Sequence, residues 1–223
     1  MYLSLLRLDL GSADVRRDLR DPYDLHRTIM RAFPSIVDPE QEPRSFWGVL
    51  YRLEHDRRAA HSTLYVQSRV MPDWSFIDKA SLVQDSVPNP ATKSVTEAFN
   101  RLTHGRVLRF RLRANPTKKI DTKSDEAGNR RNGRRVPLLK VEEQVDWLAR
   151  KSAQHGFDLH HVNIASSGAS ERIRSRKVGG TFQGVLYEGQ LVVRDPDVFR
   201  EALANGIGPG KAFGFGLLSI APR

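Results

Sequence analysis

The chain has 223 residues and no cysteine, and its 36 Lys and Arg against 26 Asp and Glu give a net charge of +10. The length allows one large domain or two small ones. The lack of cysteine excludes disulfides and thiolate metal sites and fits a reducing cytoplasm. No stretch approaches the roughly 18 apolar residues of a membrane span, and residues 1–9 lack the basic and then apolar order of a signal peptide. We therefore expect no contact with a membrane.

The positive charge is concentrated in one segment. Residues 101–140 hold 13 basic and three acidic side chains, whereas basic and acidic side chains balance in the rest of the chain. A localised excess of this kind is typical of a surface that binds a polyanion. A solvated basic linker is the alternative, but part of the excess lies on a patterned strand.

The first half of the chain is predicted to alternate strands and helices. A strand is expected over 2–10, and Asp21-Pro22 is a helix start with Asp as N-cap and Pro in the first helical position. Apolar residues at helical spacing predict an amphipathic helix over 22–33. Strands follow over 46–53 and 63–70, then a weaker helix over 91–101 and a strand over 106–114. This order, βαββαβ, is the ferredoxin-like pattern.

The second half repeats the pattern. A helix is predicted over 141–154, strands over 157–165 and 181–193, a helix from Asp195-Pro196 to about Gly206, and a strand over 215–221. The fold class we expect is α+β, with two tandem ferredoxin-like (RRM-like) domains over residues 1–115 and 137–223. Residues 116–136 are predicted to be a basic linker that stays mobile or disordered until it meets a partner.

The C-terminal segment is rich in glycine. Five glycines fall within residues 206–216, with Lys211 among them. Glycine allows a positive φ and a close approach of a phosphate, so Gly208, Gly210 and Lys211 are candidates for contact with a nucleic-acid backbone. The segment is not a P-loop, because Ala212 stands where Ser or Thr is required. A glycine-rich turn without a ligand remains the alternative.

Two strands carry arginine on alternate positions. In the strand over 107–113, arginines point to one face and apolar residues to the other, which suggests a track for phosphates or a solvated edge strand. A second basic strand with a glycine tip lies over 171–180, and it is either an arm that enters an RNA groove or a mobile solvated loop. The candidate residues of the two segments are Arg109, Arg111, Arg113, Arg172, Arg174, Arg176 and Lys177.

Tyr23 and His26 lie three residues apart on the first long helix and are therefore neighbours on its surface. A histidine exchanges protons near neutral pH, and a tyrosine adds a hydroxyl group. Ordinary packing at a helix edge is the alternative. No Gly-x-Ser-x-Gly or His-Glu-x-x-His occurs, and His160 and His161 point to opposite faces of a strand, so hydrolysis by a serine triad and metal catalysis are not supported.

With these residues in view, the chain resembles the CRISPR repeat-processing endoribonucleases of subtype I-E, the CasE or Cse3 family. Four blocks carry the resemblance, in order along nearly the whole chain. They are DPYDLHR at 21–27, RLRANPTKK at 111–119, GVLYEGQL at 184–191 and GIGPGKAFGFGLLS at 206–219. The third block alone would be weak, but the four together are specific.

The resemblance implies two ferredoxin-like domains and an endoribonuclease that needs neither a metal nor a small-molecule cofactor. Such an enzyme cuts CRISPR precursor RNA at the base of the repeat stem-loop by attack of a 2′-OH, leaves a 2′,3′-cyclic phosphate, keeps the product hairpin and joins the other Cascade subunits in the cytoplasm. The family's catalytic residues fall on Tyr23 and His26. In one assignment His26 protonates the leaving 5′-oxygen and Tyr23 acts on the 2′-OH; the reverse assignment stays open.

The resemblance also implies an RNA-binding role for further basic residues. The family's basic hairpin, which enters the major groove of the repeat stem, corresponds to the segment that holds Arg172 to Lys177. Arg27 on the catalytic helix and Lys118 and Lys119 of the second block are further candidates. Residues 121–135 receive no role. A non-catalytic RNA-binding protein of tandem ferredoxin-like domains is the second reading, and a DNA-binding regulator has no helix-turn-helix to support it.

Overall fold

A computed structural model describes residues 1–36, 40–55, 59–120, 134–164, 171–177 and 179–223, with the backbone alone at positions 134, 171 and 172. The first sheet is antiparallel, with the strand order β2-β3-β1-β4. Three short helices lie between its first and second strands. The elements are β1 (Tyr2–Asp9), α1 (Ala13–Leu19), α2 (Pro22–Met30), α3 (Pro43–Phe46), β2 (Leu50–His55), β3 (His61–Ser68), β4 (Ala91–Ser94) and the connecting α4 (Thr96–Asn100).

The second sheet repeats this plan, with the strand order β11-β5-β10-β8. A fifth strand, β9, pairs with β10 off this path. If β9 is left out and the second order is read from β8, both orders place the second, third, first and fourth strands side by side. The elements are β5 (Val107–Ala114), β6 (Thr117–Ile120), β7 (Arg134–Pro137), α5 (Val141–Gln154), β8 (Phe157–Ile164), β9 (Glu171–Ser175), β10 (Gly180–Val193), α6 (Pro196–Asn205) and β11 (Leu218–Pro222). The prediction of two ferredoxin-like units is thereby confirmed.

Each sheet has its own apolar core beneath its helices. The first core joins α2 to β1 and β3 through buried Leu6, Leu25, Ile29, Leu64 and Val66. The second joins α5 and α6 to β5 and β10 through buried Leu112, Leu148, Tyr187, Leu191 and Leu203.

The strand expected over 106–114 forms, but in the other sheet. β5 pairs with β10 and β11, not with β1, and its apolar residues Leu108, Phe110 and Leu112 pack in the second core. The division between the sheets therefore falls between β4 and β5, ahead of the boundary drawn at residue 115. An alternating pattern identifies a strand but does not name its partner.

The strand that closes the first sheet is β4, in a stretch predicted to be the start of a helix. It pairs with β1 from Tyr2↔Ser94 to Leu5↔Ala91, and only the short α4 follows it. Between β3 and β4 the described chain has no α-helix, only a 3₁₀ turn at Lys79–Ser81. The strand expected from residue 46 begins at Leu50, because α3 occupies Pro43–Phe46.

Both ends of the predicted linker are ordered strands. β6 and β7 pair antiparallel from Thr117↔Pro137 to Ile120↔Arg134. Residues 121–133, on which the expectation of disorder mainly rests, lie outside the described residues.

The two units are joined by buried polar contacts. The Arg52 side chain is only 3% exposed, and its guanidinium donates to the Ser219 Oγ at 2.8 Å and to the Leu217 carbonyl at 3.3 Å. Its Nε is paired with Glu54 at 2.7 Å. Gln67 of β3 donates to the Leu203 carbonyl of α6 at 2.7 Å. Because buried polar groups must keep their partners, these contacts fix how the units face each other.

Candidate active site and RNA-binding surface

The catalytic candidates lie on α2, and the sequence explains its start. Asp21 is the N-cap and its side chain accepts a hydrogen bond from the Tyr23 amide at 2.9 Å, while Pro22 begins the helix. Leu25 and Ile29 are buried. Tyr23 is 38% exposed, and His26, one turn later, is half-buried. The two side chains predicted from the sequence therefore border the same helix face.

A third aromatic residue lies behind His26. The ring of Tyr51, on β2, lies 6.3 Å from the His26 ring centroid and nearly parallel to it. Its hydroxyl donates to the Ala212 carbonyl at 2.9 Å in the glycine-rich loop. Burial raises the pKa of Tyr51, so this hydroxyl is a structural donor. Sequence reasoning missed Tyr51, because nothing local distinguishes it from an ordinary core residue.

His26 is neutral at neutral pH in this structure. Burial and the Arg44 guanidinium lower its pKa to about 4, although Glu42 acts in the opposite sense. Its Nδ1 is buried and has no hydrogen-bond partner among the described residues. An imidazole in this state accepts protons and does not supply them.

Asp21 also holds the basic hairpin, which we define as β9, the described turn residues after it and residues 180–184 of β10. Its carboxylate accepts hydrogen bonds from the Ser175 Oγ at 2.8 Å, the Arg176 amide at 2.9 Å and the Lys177 amide at 3.4 Å. Burial alone would raise the pKa of Asp21, but these hydrogen bonds and the one from Tyr23 lower it. One buried carboxylate thus caps α2 and fixes the turn of the hairpin.

This contact brings Lys177 to α2. The Lys177 Nζ lies 5.9 Å from the Tyr23 ring centroid and 2.5 Å from the Asp24 carboxylate. Arg27 is largely exposed and reaches the same carboxylate at 3.8 Å. Tyr23 therefore has an ammonium group beside its ring, and two predicted RNA-binding cations lie within a turn of it.

The glycine-rich loop owes its glycines to backbone conformation and close packing. Gly208 and Gly210 have φ values of +84° and +83°. A Cβ at Gly208 would lie 2.9 Å from the Trp147 ring, and one at Gly210 would lie 2.9 Å from the Phe215 ring. These close contacts explain why both positions are glycine, and a bound ligand is not needed to explain it. Lys211, beside them, is half-buried, and burial together with Arg44 and Lys151 lowers its pKa.

The arginines of β5 do not form a free track. Arg111 is ion-paired with Glu54 at 2.8 Å and with Glu188 at 2.6 Å. Arg113 is buried, lies over the Phe215 ring and donates to the Leu53 carbonyl at 3.3 Å. Arg109 is exposed. The arginine face of β5 meets β2 of the first sheet, so the alternation reflects the interface between the units.

The other predicted basic residues lie at the surface. Lys118 and Lys119 are exposed on β6, and Lys118 is paired with Glu143 at 3.1 Å. Arg174 and Arg176 are exposed on the basic hairpin, and the Arg172 side chain lies outside the described residues. The described residues hold no group of three or more acidic or histidine side chains placed to share a metal ion. No described helix is long and apolar enough to cross a membrane.

Comparison with known proteins assigns the chain to a family. The pattern of a family described as "CRISPR associated protein" matches residues 1–222. The endoribonuclease Cse3 of Thermus thermophilus is 36% identical over 100% of both chains. The chain belongs to the Cse3/CasE family.

A second relative and a solved structure support the same family assignment. The Cascade subunit CasE of Escherichia coli K12 is 33% identical over 91% of this chain and 93% of its own. Thermus thermophilus Cse3 bound to an RNA representing a pre-cleavage complex has a TM-score of 0.79 and 35% identity, over 99% of this chain and 98% of that chain. The resemblance drawn from the four sequence blocks is thus confirmed as family membership.

Proposed function

We propose that this protein is a metal-independent endoribonuclease that cuts CRISPR precursor RNA at the base of the repeat stem-loop and keeps the 3′ hairpin of the mature crRNA. One observation carries the proposal. Tyr23 and His26 lie on a helix whose N-cap also holds the turn of the basic hairpin. A cationic arm for an RNA stem and two proton-transfer groups therefore meet at one place. The relative Cse3 is named an endoribonuclease, and one of its structures holds an RNA representing a pre-cleavage complex. Both findings support the assignment.

The reaction proceeds by attack of the ribose 2′-oxygen on the adjacent phosphorus. The 2′-OH loses its proton, the new O–P bond forms, and the P–O bond to the departing 5′-oxygen breaks as that oxygen takes up a proton. The products are a 2′,3′-cyclic phosphate and a 5′-OH. One group must accept a proton and another must donate one.

The protonation state of His26 favours the second of the two role assignments. Its pKa of about 4 leaves it unprotonated at neutral pH, so it begins the reaction able to accept the 2′-OH proton and unable to donate one from an imidazolium. The Tyr23 hydroxyl is an O–H donor and can supply the proton that the 5′-oxygen needs. In this assignment each group begins the reaction in the state that it requires.

Cations around the two groups stabilise the phosphorane. Its charge exceeds that of the bound phosphodiester, so fixed positive groups act more strongly on the transition state than on the substrate. Lys177, which lies beside Tyr23 and is paired with Asp24, and Arg44, whose charge acts on His26, are the cations that would do this. Arg27 can turn toward RNA because its own side chain is largely exposed and its contact with the buried Asp24 is long, at 3.8 Å.

The basic hairpin is the stem-binding element in this proposal. A-form RNA has a narrow major groove, so entry at the open end of a stem is the accessible route. Arg174 and Arg176 are exposed there, and Arg172 belongs to the same strand. Arg109, Lys118, Lys119 and Lys211 add phosphate contacts, with Gly208 and Gly210 shaping the loop that carries Lys211. Arg111 and Arg113 keep their protein partners.

We further propose that the protein works in the cytoplasm as one subunit of a Cascade complex. The relative from Escherichia coli is named a Cascade subunit. A chain of a CRISPR RNA-guided surveillance complex is 25% identical, with a TM-score of 0.69 over the whole of both chains. Retention of the product hairpin would tether the mature RNA to the assembly.

The test uses a repeat hairpin with one 2′-deoxy nucleotide at the cut. The all-RNA hairpin should be cleaved once in EDTA, with cyclic-phosphate and 5′-OH ends, and the deoxy hairpin should bind equally and stay intact. Cleavage of the deoxy hairpin would exclude 2′-OH attack. Binding of both RNAs without any cut would instead identify a non-catalytic RNA-binding protein.

A sulfur atom in place of the leaving 5′-oxygen tests the two roles, because a thiolate leaves without protonation. If Tyr23 is the acid, Tyr23→Phe should cleave the thio substrate at close to the wild-type rate. His26→Ala should remain impaired on it. Rescue of His26→Ala with no rescue of Tyr23→Phe would reverse the assignment.

A further inference from the structure

A basic cavity lies beside the glycine-rich loop. It has a volume of about 530 Å³ and is bounded by the last turns of α5, by Thr117 of β6 and by residues around Gly208. None of the residues that line it is Asp or Glu, and five carry basic or titratable nitrogen. These are Arg135, Arg150, Lys151, His155 and Lys211.

The charges in this cavity are crowded. Burial, Arg44 and Lys151 lower the pKa of Lys211, and burial, Lys151 and Lys211 lower the pKa of His155. Like charges held together without a carboxylate in the wall oppose one another, and a bound anion relieves that repulsion. The dipole of α5 stabilises a cation at its C-terminal end, which is sufficient to explain Lys151. It does not explain why Lys211 is brought there from a separate loop.

The cavity adjoins the catalytic helix. Lys211 begins the turn Lys211–Phe213, whose Ala212 carbonyl is bonded to the Tyr51 hydroxyl, and His26 stacks on Tyr51. Arg44 lowers the pKa of both His26 and Lys211. The basic hairpin meets the N-cap of α2 through Asp21, and its Phe182 stacks on Phe213 of the same turn at 4.4 Å. The turn that carries Lys211 therefore contacts both the hairpin and Tyr51 behind His26, while Lys211 itself lines the cavity.

We propose that this cavity binds phosphates of the unpaired RNA flank next to the cut, separately from the stem bound by the hairpin. The inference rests on the proposed function. The cavity has a volume of about 530 Å³, and its cations Arg135, Arg150, Lys151 and Lys211 come from α5, β7 and a separate loop, so they can contact more than one phosphodiester of a chain. A free phosphate would need only one or two of these groups. Single-stranded RNA is held by such grooves through its backbone.

The experiment compares two uncleavable repeat hairpins, both 2′-deoxy at the cut. One carries the unpaired flanks and the other ends at the stem. The test variant is the double substitution Arg150→Ala and Lys151→Ala, which keeps a good helix former at both positions. Arg106→Ala is the matched control, because Arg106 is exposed and precedes β5 at the end away from Thr117.

Wild-type protein should bind the flanked hairpin more tightly than the bare one. The double variant should lose about tenfold in affinity for the flanked hairpin and none for the bare hairpin, whereas Arg106→Ala should leave both unchanged. The slope of log affinity against log salt for the flanked hairpin should fall by about 0.7 for each phosphate that the variant no longer neutralises.

Three results would overturn the inference. They are an equal loss for both hairpins, no loss for either, and displacement of the flank from wild-type protein by millimolar inorganic phosphate, which would identify a site for a free anion. The proposed function is tested apart from this, by wild-type cleavage of the all-RNA hairpin. A flank effect without cleavage would refute the nuclease and leave the cavity as a binding site.

Discussion

Two Asp-Pro helix starts make a matched pair for testing how the hairpin is held. Asp195 caps α6 by accepting from the Asp197 and Val198 amides within its own helix. Asp21 caps α2 and also accepts from Ser175, Arg176 and Lys177, more than 150 residues away. Serine is a good N-cap, so Asp→Ser should keep either helix start. At position 21 alone it should also release the hairpin.

The size of the effect follows from the hydrogen bonds that the substitution removes. Asp21→Ser eliminates three hydrogen bonds to a buried carboxylate, two of them at 2.8 and 2.9 Å. A hydrogen bond to a charged group contributes about 1.5–3 kcal/mol, but the released amides of Arg176 and Lys177 regain water. We therefore expect a loss of about 2 kcal/mol, or about 30-fold in the docking equilibrium. Asp195→Ser should cost only a few tenths of a kcal/mol.

Three measurements on both variants test whether Asp21 holds the hairpin. Urea unfolding gives the difference in stability, hydrogen exchange reports the amides of Arg176 and Lys177, and single-turnover cleavage at saturating protein reports the site. Asp21→Ser should accelerate exchange at those amides and slow cleavage, and Asp195→Ser should do neither. If the two variants behave alike in exchange and cleavage, Asp21 is an ordinary helix cap and the reasoning is wrong.

Three further predictions concern stability. Because the pKa of His26 falls from 6.5 to about 4 on folding, the unfolded chain binds the proton more readily, so stability should rise with pH over that interval; urea titrations of His26→Gln should lack this rise. Arg52→Met should cost about 3 kcal/mol, since it breaks a buried ion pair, and equal urea midpoints would contradict this. Gly210→Ala, at a φ of +83°, should cost about 1–3 kcal/mol, read as a lower Tm.

The sequence predicted which segments form helices and strands better than it predicted which strands and side chains pair with one another. The alternation in β5 correctly separated apolar from arginine faces, since Leu108, Phe110 and Leu112 are buried in one core. It could not reveal that Arg111 would pair with Glu54 of the other unit, because pairing across 57 residues leaves no local pattern. The closing strand β4 was missed for a similar reason, since its four residues form a strand only through pairing with β1.

The sequence likewise predicted the local features of the candidate site but not those that depend on tertiary packing. Helix chemistry predicted α2 and the adjacency of Tyr23 and His26, because both follow from local spacing. The sequence could not show that Tyr51 would stack on His26, or that Asp21 would hold the hairpin. Nor could it give the pKa of His26, which depends on burial and on Arg44. These features arise only from tertiary packing.

Single-turnover cleavage of a labelled repeat hairpin in excess EDTA tests the central claim most directly. His26→Ala is compared with wild-type protein and with His104→Ala, which changes an exposed histidine outside the site. We expect one cut at the 3′ base of the stem by wild-type and His104→Ala proteins, and a loss of about 100-fold or more in His26→Ala at unchanged hairpin affinity. Equal cleavage by all three proteins would contradict it.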